Sequence, residues 1–165
     1  MLVNGINHVA VVTEDVDRFC AFYTDVFGAT VVFAETTPAF RHAILSVGGD
    51  GLLHPVEVAG NPHARASAAM LDRGHLDHFA LNVPSWEAFD ELRHRVCDRG
   101  RSDGVVTDLG PKLSFWFTDP DGTHVEVDGV RDPSLAGFHA PVPVEHESQY
   151  PLPMSAGRLA GEVGS

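Results

Sequence analysis

The chain has 165 residues, 44% of them hydrophobic, and a formal net charge of −12 at pH 7. That length suits one compact domain or two small modules sharing a core, and that apolar content argues against disorder throughout. A surface this acidic repels nucleic-acid phosphates, no stretch approaches the roughly 18 apolar residues of a membrane span, and no basic segment precedes an apolar run at the N-terminus, so the expectation is a cytoplasmic protein that binds neither nucleic acid nor membrane.

Residues 6–12 read as a strand bounded by Gly5 and Thr13. Val16, Phe19, Cys20, Tyr23 and Phe27 then recur at helical spacing, with Thr13 expected as the N-cap and Gly28 as the stop. Strands are expected at 29–34 and 40–47, followed by a glycine turn at 48–51 and a strand from Leu52 to Val58. This first module takes residues 1–60. A linker, 61–73, carries an alanine-rich stretch suited to a short helix.

The second module, 74–130, repeats the order. Residues 76–82 form a strand, and Ser85 caps a helix whose apolar face is Trp86, Phe89, Leu92 and Val96. Asp98-Arg99-Gly100 ends it, and strands follow at 104–108 and 113–118. Asp119-Pro120-Asp121-Gly122 is a strong hairpin turn leading into a closing strand, Thr123 to Asp128. The fold class is therefore α+β, with β-α-β-β-β written twice. Beyond residue 130 scattered prolines and glycines predict an irregular tail, 131–165. The two cysteines, Cys20 and Cys97, sit in helical patterns and read as reduced.

The repeat extends to chemistry. Asn7-His8-Val9-Ala10 in the first module matches Asp77-His78-Phe79-Ala80 in the second, an offset of 78 − 8 = 70 residues. In the closing strands His54 matches Glu126, an offset of 126 − 54 = 72. Three imidazoles and a carboxylate at equivalent positions suit one borderline divalent ion (Fe, Mn, Co, Ni or Zn), and an octahedral ion would keep two positions for a substrate with adjacent oxygens. Glu57, on the opposite face of the same strand, would replace His54 if the register slipped. No phosphate-cradling glycine loop or nucleophile elbow is present.

This combination resembles the vicinal oxygen chelate superfamily, which includes glyoxalase I, extradiol dioxygenases, methylmalonyl-CoA epimerase and the bleomycin- and fosfomycin-resistance proteins. The resemblance covers residues 5 to about 130. It is carried by Ile6-Asn7-His8-Val9-Ala10, Leu76-Asp77-His78-Phe79-Ala80 and, most specifically, Asp119-Pro120-Asp121-Gly122-Thr123-His124-Val125-Glu126. It implies two βαβββ modules forming a cupped mixed sheet, the glyoxalase/bleomycin-resistance/dioxygenase fold. It also implies a homodimer and metal ligation by His8, His78 and Glu126. His54 falls where glyoxalase-like members hold glutamate or glutamine, which departs from the usual glyoxalase set.

In such a cup, period-two alternation would direct Phe40 and His42, with Phe115 and Phe117, toward substrate, or Trp116 if the face is reversed. The alternative is that these residues pack against the helices. Glu126, His124 and His42 are the candidate catalytic groups, because His124 faces the same side as Glu126. The resemblance thus points to a divalent-metal-dependent enzyme of dioxygenase or lyase/isomerase type. Its substrate would be small, oxygen-chelating, and apolar or aromatic. The alternative function is a resistance protein that sequesters a drug or natural product without chemistry.

Overall fold

Alternating strands and two well-signalled helices set the architecture. In the computed structural model, which describes residues 2, 5–64, 71, 73–130 and 142–143, the order is β1 (His8–Val12), α1 (Val16–Phe27), β2 (Thr30–Thr36), β3 (Phe40–Ser46) and β4 (Leu52–Val58). The order then repeats as β5 (His78–Asn82), α2 (Trp86–Asp98), β6 (Val106–Asp108), β7 (Lys112–Thr118) and β8 (His124–Val130), with a two-residue β9 (Val142–Pro143). These are the two βαβββ modules the sequence predicts. The chain divides into two units, residues 1–67 with 119–122 and residues 68–118 with 123–165.

In the first unit the sheet runs β1-β4-β3-β2, with β1 parallel to β4 and the other pairs antiparallel. One face carries Ala43, Leu45 and Leu53, buried with Phe19, Tyr23 and Val26 of α1, which packs on β3 and β4. The N-cap of α1 is Asp15 rather than Thr13: its Oδ1 accepts the backbone N–H groups of Asp17 and Arg18, each at 3.0 Å. Thr13 lies two residues too early and spends its hydroxyl on Asp121, Oγ1 donating to Oδ2 at 2.7 Å. The Asp119–Gly122 turn is thereby fastened to this unit, with Arg18 pairing with Asp121 and the Tyr23 hydroxyl donating to buried Asp119 at 3.3 Å. Gly28 ends α1 in the left-handed region, φ +69°, as the sequence predicts.

In the second unit the sheet runs β5-β8-β7-β6-β9, again with its first pair parallel. Ser85 caps α2 by accepting the Ala88 N–H. The helix packs on β8, and the Phe89 ring lies 5.0 Å from Phe115. Gly129 is required by that approach, because a Cβ there would stand 2.6 Å from the Trp86 ring.

Part of the expected irregular tail proves regular. Val142 and Pro143 pair antiparallel with β6 at the edge of the sheet, where proline is tolerated. The rest of the predicted tail, and most of the alanine-rich stretch, lie outside the described residues. Among the described residues both cysteines are free thiols, and no helix is long and apolar enough to cross a membrane.

Candidate functional site

Strand alternation decides what each sheet presents on the face turned away from its helix. In the first unit that face carries His8 on β1, His54 on β4 and His42 on β3, since Leu53, Ala43 and Leu45 take the helix side. The register is the expected one, so His54 keeps its place. Glu57 points to the helix side, where it accepts the Val16 N–H at 2.9 Å and pairs with Arg41, and is committed there.

The rings of His8 and His54 lie 5.5 Å apart in an edge-on arrangement. That is roughly the separation two imidazoles adopt around one first-row ion with metal–nitrogen bonds of about 2.1 Å. His42 lies beside His54, Nδ1 to Nε2 at 2.9 Å, and its own Nε2–H donates to Glu35 at 3.0 Å. A β-bulge makes this possible. Val31 pairs with Leu45, but the register shifts before Phe33, so Phe33 and Glu35 join the histidine face. Phe33, Phe40, Val12 and Val58 give this face an exposed apolar surround.

In the second unit the corresponding face carries His78 on β5, His124 and Glu126 on β8, and Trp116 on β7. His78 is directly opposite His124, and Glu126 is directly opposite Trp116. The expectation that Phe115 and Phe117 share this face is thus not met, and the alternative, Trp116, takes it. Phe115 and Phe117 belong to the other face, fully buried on the α2 side, where Phe115 meets Phe89. Trp116 replaces them, its ring edge-on to His78 at 4.8 Å.

Glu126 is 7% exposed, and its Oε1 has no hydrogen-bond partner. Burial pushes its carboxyl above the usual range and Asp128 adds to the shift; Ser114, near without closing a hydrogen bond, tempers it with His78 and Lys112. Burial lowers the His54 pKa, helped by His42 and His8. It also lowers that of His124, against the pull of Asp77. Both imidazoles are therefore neutral near pH 7, the form in which imidazole binds metal.

The residues immediately before the repeated histidines hydrogen-bond to their rings. Asp77 accepts from His78 Nδ1–H at 2.6 Å, and Asn7 accepts from His8 Nδ1–H at 2.9 Å. That bond and the Leu71 N–H hold the Asp77 carboxyl below its ordinary range. In the neutral form of both histidines this leaves the lone pair on Nε2. Sequence reasoning recorded a short polar residue at each position without assigning it a role. Glu35 gave no signal at all, because only the bulge turns it to this face.

Among the described residues no group of three or more His, Cys, Asp and Glu side chains stands as a metal-holding cluster. What each unit supplies is a pair of donors, His8 with His54 and His78 with Glu126. Their chemistry fits a divalent ion: imidazoles with one nitrogen engaged and one available, and a buried carboxylate oxygen lacking a partner.

The Glyoxalase/Bleomycin resistance protein/Dioxygenase superfamily matches residues 5–127 of the sequence. The chain belongs to this superfamily. Solved structures share its fold. A glyoxylase/bleomycin resistance protein/dioxygenase domain from Frankia sp. EAN1pec superposes with a TM-score of 0.66 at 22% identity, covering 78% of this chain and 99% of its own. The fosfomycin resistance protein FosX from Listeria monocytogenes, complexed with Mn(II) and sulfate, gives 0.56 at 18% identity, covering 79% and 95%. The trypanothione-dependent glyoxalase I of Leishmania major gives 0.53 at 20% identity, covering 76% and 86%. No curated protein matches the sequence.

Proposed function

We propose that this chain is a divalent-metal-dependent vicinal oxygen chelate enzyme whose ligands are His8, His54, His78 and Glu126. One observation carries the reading. Each of the three histidines has one ring nitrogen engaged by a neighbour (Asn7, His42 and Asp77), leaving the other as a donor. Histidines that bind metals are characteristically held in this way, which fixes the ring and its tautomer. The Mn(II) bound by FosX of Listeria monocytogenes is a precedent within the superfamily for a divalent ion on this fold.

The ion would act as a Lewis acid toward adjacent substrate oxygens, and a redox-active ion such as iron would add oxygen chemistry. The side chains on the page do the rest. Phe33, Phe40, Val12 and Val58 offer an apolar surface beside the histidines, suited to an apolar or aromatic substrate body. His124, opposite His78 and kept neutral by burial, is placed to take or return a proton.

The test is elemental analysis of the purified protein by inductively coupled plasma mass spectrometry, beside His8→Ala and Glu126→Ala. Near-stoichiometric metal that is lost in both variants is the expected result, and its identity separates oxygenase from lyase or isomerase chemistry. A wild type that takes up no divalent metal, even on anaerobic reconstitution, overturns the reading and leaves ligand sequestration as the role.

A further inference from the structure

The three histidines are not held alike. His8 and His78 are each tied at Nδ1 by the preceding residue, whereas His54 is tied at Nε2 by another imidazole. The chain of contacts continues outward, from His54 Nε2 to His42 Nδ1 at 2.9 Å and from His42 Nε2 to Glu35 Oε2 at 3.0 Å.

Proton bookkeeping along this chain has one solution for neutral rings. A carboxylate only accepts, so the His42 proton is on Nε2, and His42 Nδ1 is then an acceptor. The proton between the two rings must therefore belong to His54 Nε2. That leaves the lone pair of His54 on Nδ1.

The rings around His42 hold it to this task. Phe33 and Phe40 stand edge-on to it at 5.4 Å and 5.2 Å. The bulge in β2 brings Phe33 and Glu35 onto this face together.

We propose that Glu35 and His42 are positioning residues that fix His54 as the Nε2–H tautomer, so that it donates through Nδ1 where His8 and His78 donate through Nε2. The use of that nitrogen rests on the metal reading above; the tautomer is a property of the metal-free protein. Nδ1 lies next to Cβ, so an ion bound through it is drawn closer to strand β4 than one bound through Nε2. The Glu35–His42 pair therefore sets where the ion would sit over the first sheet, and so which substrate oxygens it reaches.

Long-range ¹H–¹⁵N correlation spectra of the metal-stripped, full-length, ¹⁵N-histidine-labelled protein read the tautomer directly. Zinc titration calorimetry reads its consequence, and circular dichroism checks that each variant folds. The wild type is expected to show protonated Nε2 and unprotonated Nδ1 at His54. Glu35→Leu and His42→Phe are expected to give mixed tautomers and zinc affinity lower by about ten- to a hundredfold. Glu35→Gln, which keeps an oxygen acceptor, should fall between these and the wild type. Wild-type His54 protonated at Nδ1, or folded variants that retain the Nε2–H tautomer, would overturn the proposal. A wild type with the Nε2–H tautomer that binds neither zinc nor manganese would keep the positioning role and overturn the metal reading instead.

Discussion

Replacing Glu126 by glutamine is expected to stabilise the metal-free protein even though it removes a proposed metal ligand. The carboxylate is 7% exposed, one of its oxygens has no partner, and Asp128 shares its face of β8 two residues away. Its folded-state pKa is raised, chiefly by burial. The native state therefore binds the proton more tightly than the unfolded chain. The stability this group contributes is fully present below the unfolded carboxyl value of about 4.3, and is lost as pH rises through the raised folded value.

At pH 7 the wild type thus carries the cost of a buried carboxyl with one oxygen lacking a partner. Leaving a buried polar group unsatisfied costs about 1–3 kcal/mol, and glutamine retains part of that cost, so the net gain is on the order of 1 kcal/mol. For a chain of this size that is roughly 2–4 °C in Tm. Thermal and urea unfolding of metal-stripped samples at pH 7 and pH 4 would measure it, with the difference large at the first and nearly absent at the second. A variant less stable than wild type at pH 7, or a difference indifferent to pH, would show that Glu126 is paired and the reasoning wrong.

Other expectations concern the scaffold. Asp15→Ala removes the cap of α1 and should cost about 1 kcal/mol in urea unfolding, whereas Thr13 would show no capping loss of its own. Gly129→Ala places a Cβ 2.6 Å from the Trp86 ring and 3.0 Å from Phe89, which is wedged against Phe115. The overpacking should cost about 1–3 kcal/mol and change the near-ultraviolet circular dichroism of Trp86. Phe115→Ala should cost about 3–5 kcal/mol by leaving a cavity under α2. Trp116→Phe, on the opposite face, empties part of a fully buried site but also removes an indole N–H without a partner, and should cost less than Phe115→Ala; a larger loss would contradict the reasoning.

The fold was legible because its signals are local and repeated. Both helices carry their apolar stripe and a terminal glycine, and the Asp-Pro-Asp-Gly turn fixes the last hairpin. The four candidate ligands emerged from the repeat alone, since equivalent strands place equivalent side chains on one face. What stayed hidden depends on features that have no period. Alternation left open whether Phe115 or Trp116 shares a face with Glu126, because a run of Phe-Trp-Phe is apolar at every step and only its helix contact tells the faces apart. The bulge that brings Glu35 to His42 is an insertion in register, visible only once β2 is paired. Thr13 carries the right chemistry for a cap, but Asp121, distant in sequence, claims its hydroxyl.

That distant claim bears on how the polypeptide is made. Thr13 and Asp121 are 108 positions apart, yet their bond helps order the start of the first helix. A ribosome delivers the N-terminal half long before the aspartate turn that completes it has been synthesised. The first unit therefore leaves the ribosome before the turn that secures the start of its helix exists. Pairing over such a separation is slow to close, and the half-made state is the stage at which the exposed Val31, Val32 and Phe33 of β2 are most open to unwanted strand addition.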